Sequence, residues 1–93
     1  MKFDEKSAVE RSKKDLAERL GVPESEISVK RVASTEFPDM SLGAPEDGEM
    51  AAQMIATGWK IGLASKGKEY EYRADKYQLR LKDFKGRNHV IVY

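Results

Sequence analysis

The sequence TGWKIGLASKGKEYEYRADKYQLRL, residues 57–81, contains the clearest strand pattern of the chain. Apolar residues alternate with small or polar ones from Trp59 to Leu63, the period of a strand with one buried face. The sequence SKGK at residues 65–68 places a glycine where a tight hairpin turn favours a positive φ. The same alternation continues on both sides of a second turn at residues 75–76. We therefore predict three antiparallel strands joined by short turns.

Two further strands are predicted outside this stretch. Residues 27–37 are rich in β-branched side chains and stop before Pro38, and their alternation slips near Arg31, which indicates a bulge. A turn at residues 85–88 precedes a last apolar run at residues 89–93. Both segments extend the antiparallel sheet.

Residues 50–56 also alternate in the manner of a strand before Thr57 and Gly58 interrupt the pattern. Two arrangements stay open. Residues 50–64 form either one long strand with a bulge at Gly58 or two strands around a tight bend.

A helix is predicted over residues 7–20. Ser7 and Glu10 have the S-x-x-E spacing of a capping box. Gly21 follows the last apolar position, and Pro23 prevents continuation.

The chain is therefore predicted to be a single α+β domain over residues 1–93, with this helix packed on a four- to five-stranded antiparallel sheet. Ninety-three residues suffice for one core. The predicted core comprises Val9, Leu16, Leu20, Ile27, Val29, Met54, Ile61, Leu63, Tyr72 and Leu79.

Composition excludes several classes of function. The chain has no cysteine, so no disulfide scaffold, thiolate nucleophile or cysteine-ligated metal is possible. The net charge of +1 gives no global attraction to nucleic acid or to a membrane surface. The charge is nevertheless uneven, since residues 31–56 carry −4 and residues 57–93 carry +5. These two regions can attract each other within one fold or can face two different partners.

No catalytic or metal-ligating motif is present. The single histidine, His89, has no acidic neighbour in sequence, whereas a general base needs an orienting partner and a nucleophile. No phosphate-binding glycine loop or nucleophile elbow occurs. Asp39 and the acidic run at residues 46–49 do not have the ligand spacing of a calcium loop. We expect no enzyme, no cofactor and no metal.

The basic C-terminal third contains Tyr70, Tyr72 and Tyr77. The tyrosines alternate with Lys and Arg and so point to the opposite sheet face, whereas a base-stacking platform needs both on one face. We predict that the tyrosines pack toward the helix, that Lys and Arg face water, and that nucleic acid is not the partner.

The segment at residues 38–49 is long for a hairpin connection and contains two prolines and two glycines. Such loops often carry function. Our leading hypothesis is a non-enzymatic binding module that contacts an unknown protein partner through this loop, with Trp59 alongside. Trp59 itself is equally compatible with a core anchor. In the alternative, Met40 and Leu42 fold inward and the loop is a structural plug. The candidate contact residues are Asp39, Met40, Leu42, Gly43, Pro45, Glu46, Gly48 and Trp59.

The N-terminus has no apolar signal region, which together with the absent cysteines favours the cytoplasm. A removed leader would instead allow an extracytoplasmic location. We expect no membrane association and a monomer, because Lys82 and Lys85 discourage pairing along the sheet edge.

The sequence FPDMSLGAPEDG at residues 37–48 resembles the loop signature D-x-S-L-G-x-P-x-x-G of a small uncharacterised prokaryotic protein family. The helix end at residues 15–23, GWKI at residues 58–61 and YEY at residues 70–72 resemble other parts of that family. Many members are secreted and have cysteine where this chain has Ala44. The resemblance implies a shared fold and no assigned activity.

The order of elements also resembles that of cystatins and, in outline, of PepSY propeptide domains. Cystatins insert a Gln-x-Val-x-Gly hairpin into the cleft of papain-type proteases. Gln53 and Ile55 match that motif, but Thr57 replaces its glycine, and no Pro-Trp follows in the next hairpin. The resemblance makes a cystatin-like or propeptide-like protease inhibitor the alternative function.

Overall fold

The protein is an α+β domain, seen in a computed structural model that covers residues 2–93. One helix is followed by five strands, which form one antiparallel sheet in sequential order. This confirms the predicted fold class. No helix within residues 2–93 is long and apolar enough to cross a lipid bilayer. The elements are α1 (Glu5–Leu20), a short 3-10 turn (Glu24–Glu26), β1 (Ser28–Phe37), β2 (Ala56–Ser65), β3 (Lys68–Ala74), β4 (Leu79–Phe84) and β5 (Arg87–Val92).

Helix α1 begins before the predicted residue 7, and its capping box is not the predicted pair Ser7 and Glu10. Asp4 is the N-cap, and its carboxylate accepts a hydrogen bond from the Ser7 amide at 2.8 Å. The Ser7 hydroxyl accepts in return from the Asp4 amide at 2.9 Å. The carboxylate suits this place because it also complements the positive end of the helix dipole. At the other end Gly21 has a φ of 66° and closes the helix as predicted.

The bulge and the hairpin turns agree with the sequence. The β1–β2 register shifts between Val29 and Arg31. Residues 66 and 67 have φ values of 51° and 79°, and residues 85 and 86 have 53° and 81°. Positive φ at both central residues is the turn geometry that matches strand twist.

The predicted strand at residues 50–56 is wrong, because β2 begins only at Ala56. Ala56 pairs with Phe37, the last residue of β1. Pro38 follows immediately, so residues 50–55 have no strand to pair with. Neither arrangement predicted around Gly58 occurs, since β2 runs straight through it. A side chain at Gly58 would clash with the carbonyl oxygen of Ala74, so glycine is needed there for a close backbone approach.

The main core lies between α1 and one side of the sheet, which we call the helix face. Val9 and Leu20 are partly buried against it. Two predicted core residues are wrong: Val29 is exposed because it lies on the edge strand β1, and Met54 is exposed because it lies outside the sheet. Buried as predicted are Leu16, Ile27, Ile61, Leu63, Tyr72 and Leu79.

Candidate functional site

The second side of the sheet, which we call the loop face, is covered by part of the connection between β1 and β2. This connection, residues 38–55, is the cover loop. Leu42 is fully buried with Phe37 and Ala56 in a cluster separate from the main core. The plug alternative therefore describes Leu42 correctly, while Met40 stays partly exposed.

Arg80 ties the cover loop to the sheet. Its side chain is 1% exposed, which contradicts the prediction that Lys and Arg face water. Both terminal nitrogens donate to the Glu49 carboxylate at 2.6 Å. Nη1 also donates to the Ala44 carbonyl at 3.1 Å, and Nε donates to Gln78 Oε1 at 2.7 Å. A two-pronged guanidinium–carboxylate pair is among the stronger polar contacts in proteins, so the cover loop is anchored by charge as well as by Leu42.

A second arginine supports the same loop. Arg73 stands opposite Arg80 in the β3–β4 register. Its Nη1 donates to the Leu42 carbonyl at 2.8 Å, and its guanidinium lies 5.6 Å from the ring centroid of Phe37. Nε donates to Glu71 at 2.6 Å. The buried Arg80 and the half-buried Arg73 therefore make internal contacts, although the alternation predicts that both face solvent.

The ionisation of the Glu49–Arg80 pair follows from this geometry. The hydrogen bonds from Arg80 lower the pKa of Glu49 to about 2, against an opposing effect of burial. The bond to Glu49 in turn raises the pKa of Arg80. Both groups are charged at neutral pH, and the attraction between the acidic middle and the basic third acts here within the fold.

Asp39 organises the first turn of the cover loop. One carboxylate oxygen accepts from the Ser41 amide at 2.9 Å, the Ser41 hydroxyl at 2.5 Å and the Gly43 amide at 3.2 Å. The hydroxyl bond, followed by the amide bonds, lowers the pKa of Asp39. Glu46 accepts from the Val90 amide of β5 at 3.0 Å. Asp39 thus holds the loop backbone and Glu46 joins the loop to β5. No three His, Asp or Glu residues within the described chain are grouped to bind a metal.

The remaining candidate residues lie in different parts of the structure. Pro45 and Gly48 are exposed on the cover loop. Trp59 packs partly buried against the main core, on the helix face, so it does not lie alongside the loop. His89 packs its ring against Phe84 at a centroid distance of 5.9 Å, and its Nε2 lies 3.4 Å from the Phe84 carbonyl.

The tyrosines are placed as predicted in two cases of three. Tyr72 is buried and Tyr70 half-buried on the helix face. Burial and a hydrogen bond to Asp15 at 2.7 Å raise the pKa of Tyr72. Tyr77 instead is exposed, because it lies in the β3–β4 turn rather than in a strand.

A group of exposed apolar side chains gathers where the cover loop meets the β3–β4 turn. Met40, Ile55 and Tyr77 line a depression of about 300 Å³, and Met54 precedes Ile55. We call these four residues the docking end. Their exposed fractions are 36% for Met40, 63% for Met54, 69% for Ile55 and 60% for Tyr77.

The backbone of the docking end is fixed by hydrogen bonds. The Met40 amide donates to the Ala52 carbonyl at 3.0 Å, and Gln78 Nε2 donates to the Met40 carbonyl at 2.8 Å. The Tyr77 amide donates to the Asp75 carboxylate at 2.8 Å. The side chains of Met40 and Tyr77 thus extend from a backbone that is held by hydrogen bonds.

Sequence reasoning places Met40 in the candidate contact loop and Ile55 in the cystatin-like motif, but does not name Met54 or Tyr77 as contact residues for a protein partner. One signal was present: residues 50–59 carry no charge in a chain that is 35% charged. The alternation in residues 50–56 predicts strand pairing, and this wrong prediction hides the exposure of Met54 and Ile55.

Comparison with known proteins gives one match. A search of curated proteins and a search of solved structures each found no significant similarity. Residues 9–81 match the family described as Domain of unknown function (DUF8738). The match extends from within α1 to β4 and includes the whole cover loop. The chain therefore belongs to the DUF8738 family, a family of unknown function.

Proposed function

We propose that this chain is a non-enzymatic interaction module whose contact surface is the docking end. The observation that carries the proposal is the exposure of Met40, Ile55 and Tyr77 around one depression, with the exposed Met54 next to Ile55 in sequence. Grouped exposed apolar side chains mark sites of protein contact more often than isolated ones do. Methionine suits such a surface because its flexible side chain adapts to a partner.

The polar groups of the cover loop support a structural role for the loop's first part. The Asp39 carboxylate is engaged by the Gly43 amide of its own turn, and the Glu49 carboxylate is engaged by Arg80, which also bonds to the Ala44 carbonyl. A catalytic centre needs such groups aimed at a space that a substrate can enter. The proposed contact surface is therefore the docking end rather than residues 38–49, and Met40 is the residue common to both.

The order of the docking end supports binding as well. A surface whose backbone is already fixed loses less conformational entropy when a partner binds. The contacts of Met40 with Ala52 and Gln78 fix one side of the depression, and the Asp75 contact of Tyr77 fixes the other.

Affinity capture from a lysate of the source organism tests the proposal with a matched control. The double variant I55S/Y77S removes two exposed apolar side chains, while V29S removes an exposed apolar side chain at the far end of β1. Thermal melts first establish that both variants are folded. We expect mass spectrometry to find proteins retained by the wild type and by V29S and lost by I55S/Y77S. Identical recoveries on all three would contradict the proposal.

A protease inhibitor is the second candidate, favoured by one observation. Three separate segments meet at the docking end, because the Phe3 amide donates to the Lys76 carbonyl at 2.7 Å while Met40 and Tyr77 line the same depression. An N-terminal segment and two loops at one end are the elements that a cystatin-like inhibitor would present to a protease cleft. Micromolar inhibition of papain that is lost in I55S/Y77S would support this candidate. No inhibition of several papain-type proteases would remove it.

A further inference from the structure

The rim of the docking end carries positive charge. Lys76 lines the depression beside Tyr77. Lys2 Nζ lies 5.8 Å from the centroid of the Tyr77 ring. Neither lysine forms an ion pair with any residue between 2 and 93. Both ammonium groups are therefore available to a carboxylate from outside.

The carboxylates near the depression are differently placed. Asp75 lines it, but its carboxylate accepts from the amides of Tyr77 and Gln78 at 2.8 and 2.9 Å. These two bonds engage the Asp75 carboxylate within the β3–β4 turn. Glu36 is exposed and stands in register with Thr57, another lining residue. The effect of the Glu36 charge on binding must therefore be measured separately from the effect of the two lysine charges.

The size of the depression limits what it can hold. A volume of about 300 Å³ is at the lower limit of pockets that take small ligands. It suits one apolar side chain that a partner inserts as an anchor. The surrounding lysines then select the residues on either side of that anchor, because charges at the rim of an interface govern partner choice more than raw affinity.

We propose that the docking end binds a linear peptide segment of a partner protein, in which a large apolar anchor is flanked by Asp or Glu. The anchor enters the depression between Met40, Ile55 and Tyr77. The flanking carboxylates pair with Lys2 and Lys76. This inference rests on the proposed function and adds to it the chemistry of the partner.

Selection from a random linear peptide library displayed on phage tests the inference. Four immobilised proteins are compared: the wild type, the charge reversal K2E/K76E, the apolar variant I55S/Y77S and the control E36Q. We expect the wild type and E36Q to enrich peptides with an apolar residue beside Asp or Glu. K2E/K76E should enrich Lys or Arg in those flanking positions, and I55S/Y77S should enrich nothing above the blank support.

Binding of one selected peptide, labelled and synthesised, gives the quantitative arm. We expect K2E/K76E to weaken it at least tenfold in low salt, and E36Q to change it less than threefold. The effect of K2E/K76E should shrink as salt rises, since rim charges are screened.

Three outcomes overturn the inference. Apolar peptides with no acidic bias, lost by I55S/Y77S, would leave the docking end as an interaction surface and reject the acidic partner. Acidic peptides retained by K2E/K76E would reject the two lysines as their receptors. If no library peptide is enriched on the wild type, a linear peptide partner is rejected, while affinity capture still decides independently whether the docking end binds a folded protein.

Discussion

The two faces of the sheet are covered by different chemistry. On the helix face, α1 packs through apolar side chains such as Leu16 against Leu63 and Leu81 of the strands. On the loop face, a small apolar cluster around Leu42 is supplemented by the buried pair between Arg80 and Glu49. One cover is held mainly by non-directional burial of apolar area, and the other by directional polar bonds.

The helix face is therefore expected to be the more stable side of the domain, and the loop face the side that opens first. Apolar contacts that join the helix to several strands at once give way only when the whole domain unfolds. The cover loop lacks strand pairing over residues 38–55 and makes few apolar contacts. Segments of that kind open locally at a lower free energy. The loop face is therefore expected to behave as a separate unit that positions the docking end.

Truncation on the helix face is expected to have the largest effect. Leu81 is fully buried in the main core. Leu81→Ala should lower the free energy of unfolding by about 4 kcal/mol, because it removes apolar contacts and leaves a cavity. Urea denaturation measures the change. Leu81→Met keeps the volume and should cost less than about 1.5 kcal/mol; equal losses in the two variants would contradict a tightly packed helix face.

Breaking the buried pair on the loop face is expected to have the second-largest effect on the free energy of unfolding. In Glu49→Gln the 1%-exposed Arg80 loses its charged partner, which is itself only 16% exposed. We expect a loss of about 3 kcal/mol, since an unpaired buried charge is costly. The same urea titration provides the value. A loss below about 0.5 kcal/mol, the scale of exposed ion pairs, would contradict the anchoring role of the pair.

Acid should weaken the loop face selectively. Because the pKa of Glu49 is lowered from 4.5 to about 2 in the folded protein, its contribution to stability is complete above about pH 4.5 and is lost as the pH falls toward 2. The free energy of unfolding of the wild type should therefore fall across this range more steeply than that of Glu49→Gln. Parallel curves for the two proteins would show that Glu49 does not supply the acid sensitivity.

The smallest effect is expected from an exposed pair on the loop face. Arg31 and Glu69 lie 3.0 Å apart, with side chains that are 68% and 60% exposed. Glu69→Gln should change the free energy of unfolding by less than about 0.5 kcal/mol. This variant is the matched control for Glu49→Gln, because both remove one charge from an arginine pair. Equal losses at the two sites would mean that burial does not distinguish the pairs.

Local patterns predicted most of the fold. Residues 65–68 and Gly21 were assigned correctly because turn chemistry and helix termination depend on residues close in sequence. The N-cap was misplaced because Asp4 and Ser7 form the same kind of reciprocal box as the Ser7 and Glu10 that were chosen.

The wrong predictions concern residues whose structure depends on contacts with segments distant in sequence. Alternation alone puts Arg80 in water, and only the return of Glu49 over the sheet explains its burial. Likewise residues 50–56 have strand-like alternation, but the stop at Pro38 leaves them without a partner strand. The sequence identifies only part of the candidate site, through Met40. Tyr77 lines the same depression from a turn 37 residues further along the chain, which local patterns do not reveal.

Amide hydrogen exchange in Leu81→Ala tests most directly whether the loop face is a separate unit. The substitution lies in the main core, so it destabilises the closed and the open forms of the cover loop equally. We expect exchange of the β2–β3 amides to accelerate by about 10³, the equivalent of about 4 kcal/mol. The amides of Met40, Leu42 and Ala44, which are hydrogen-bonded within the cover loop, should change by less than about threefold, because they exchange through local opening. Equal acceleration at both sets of amides would show that the loop opens only with the whole domain and would contradict a loop face that opens as a separate unit.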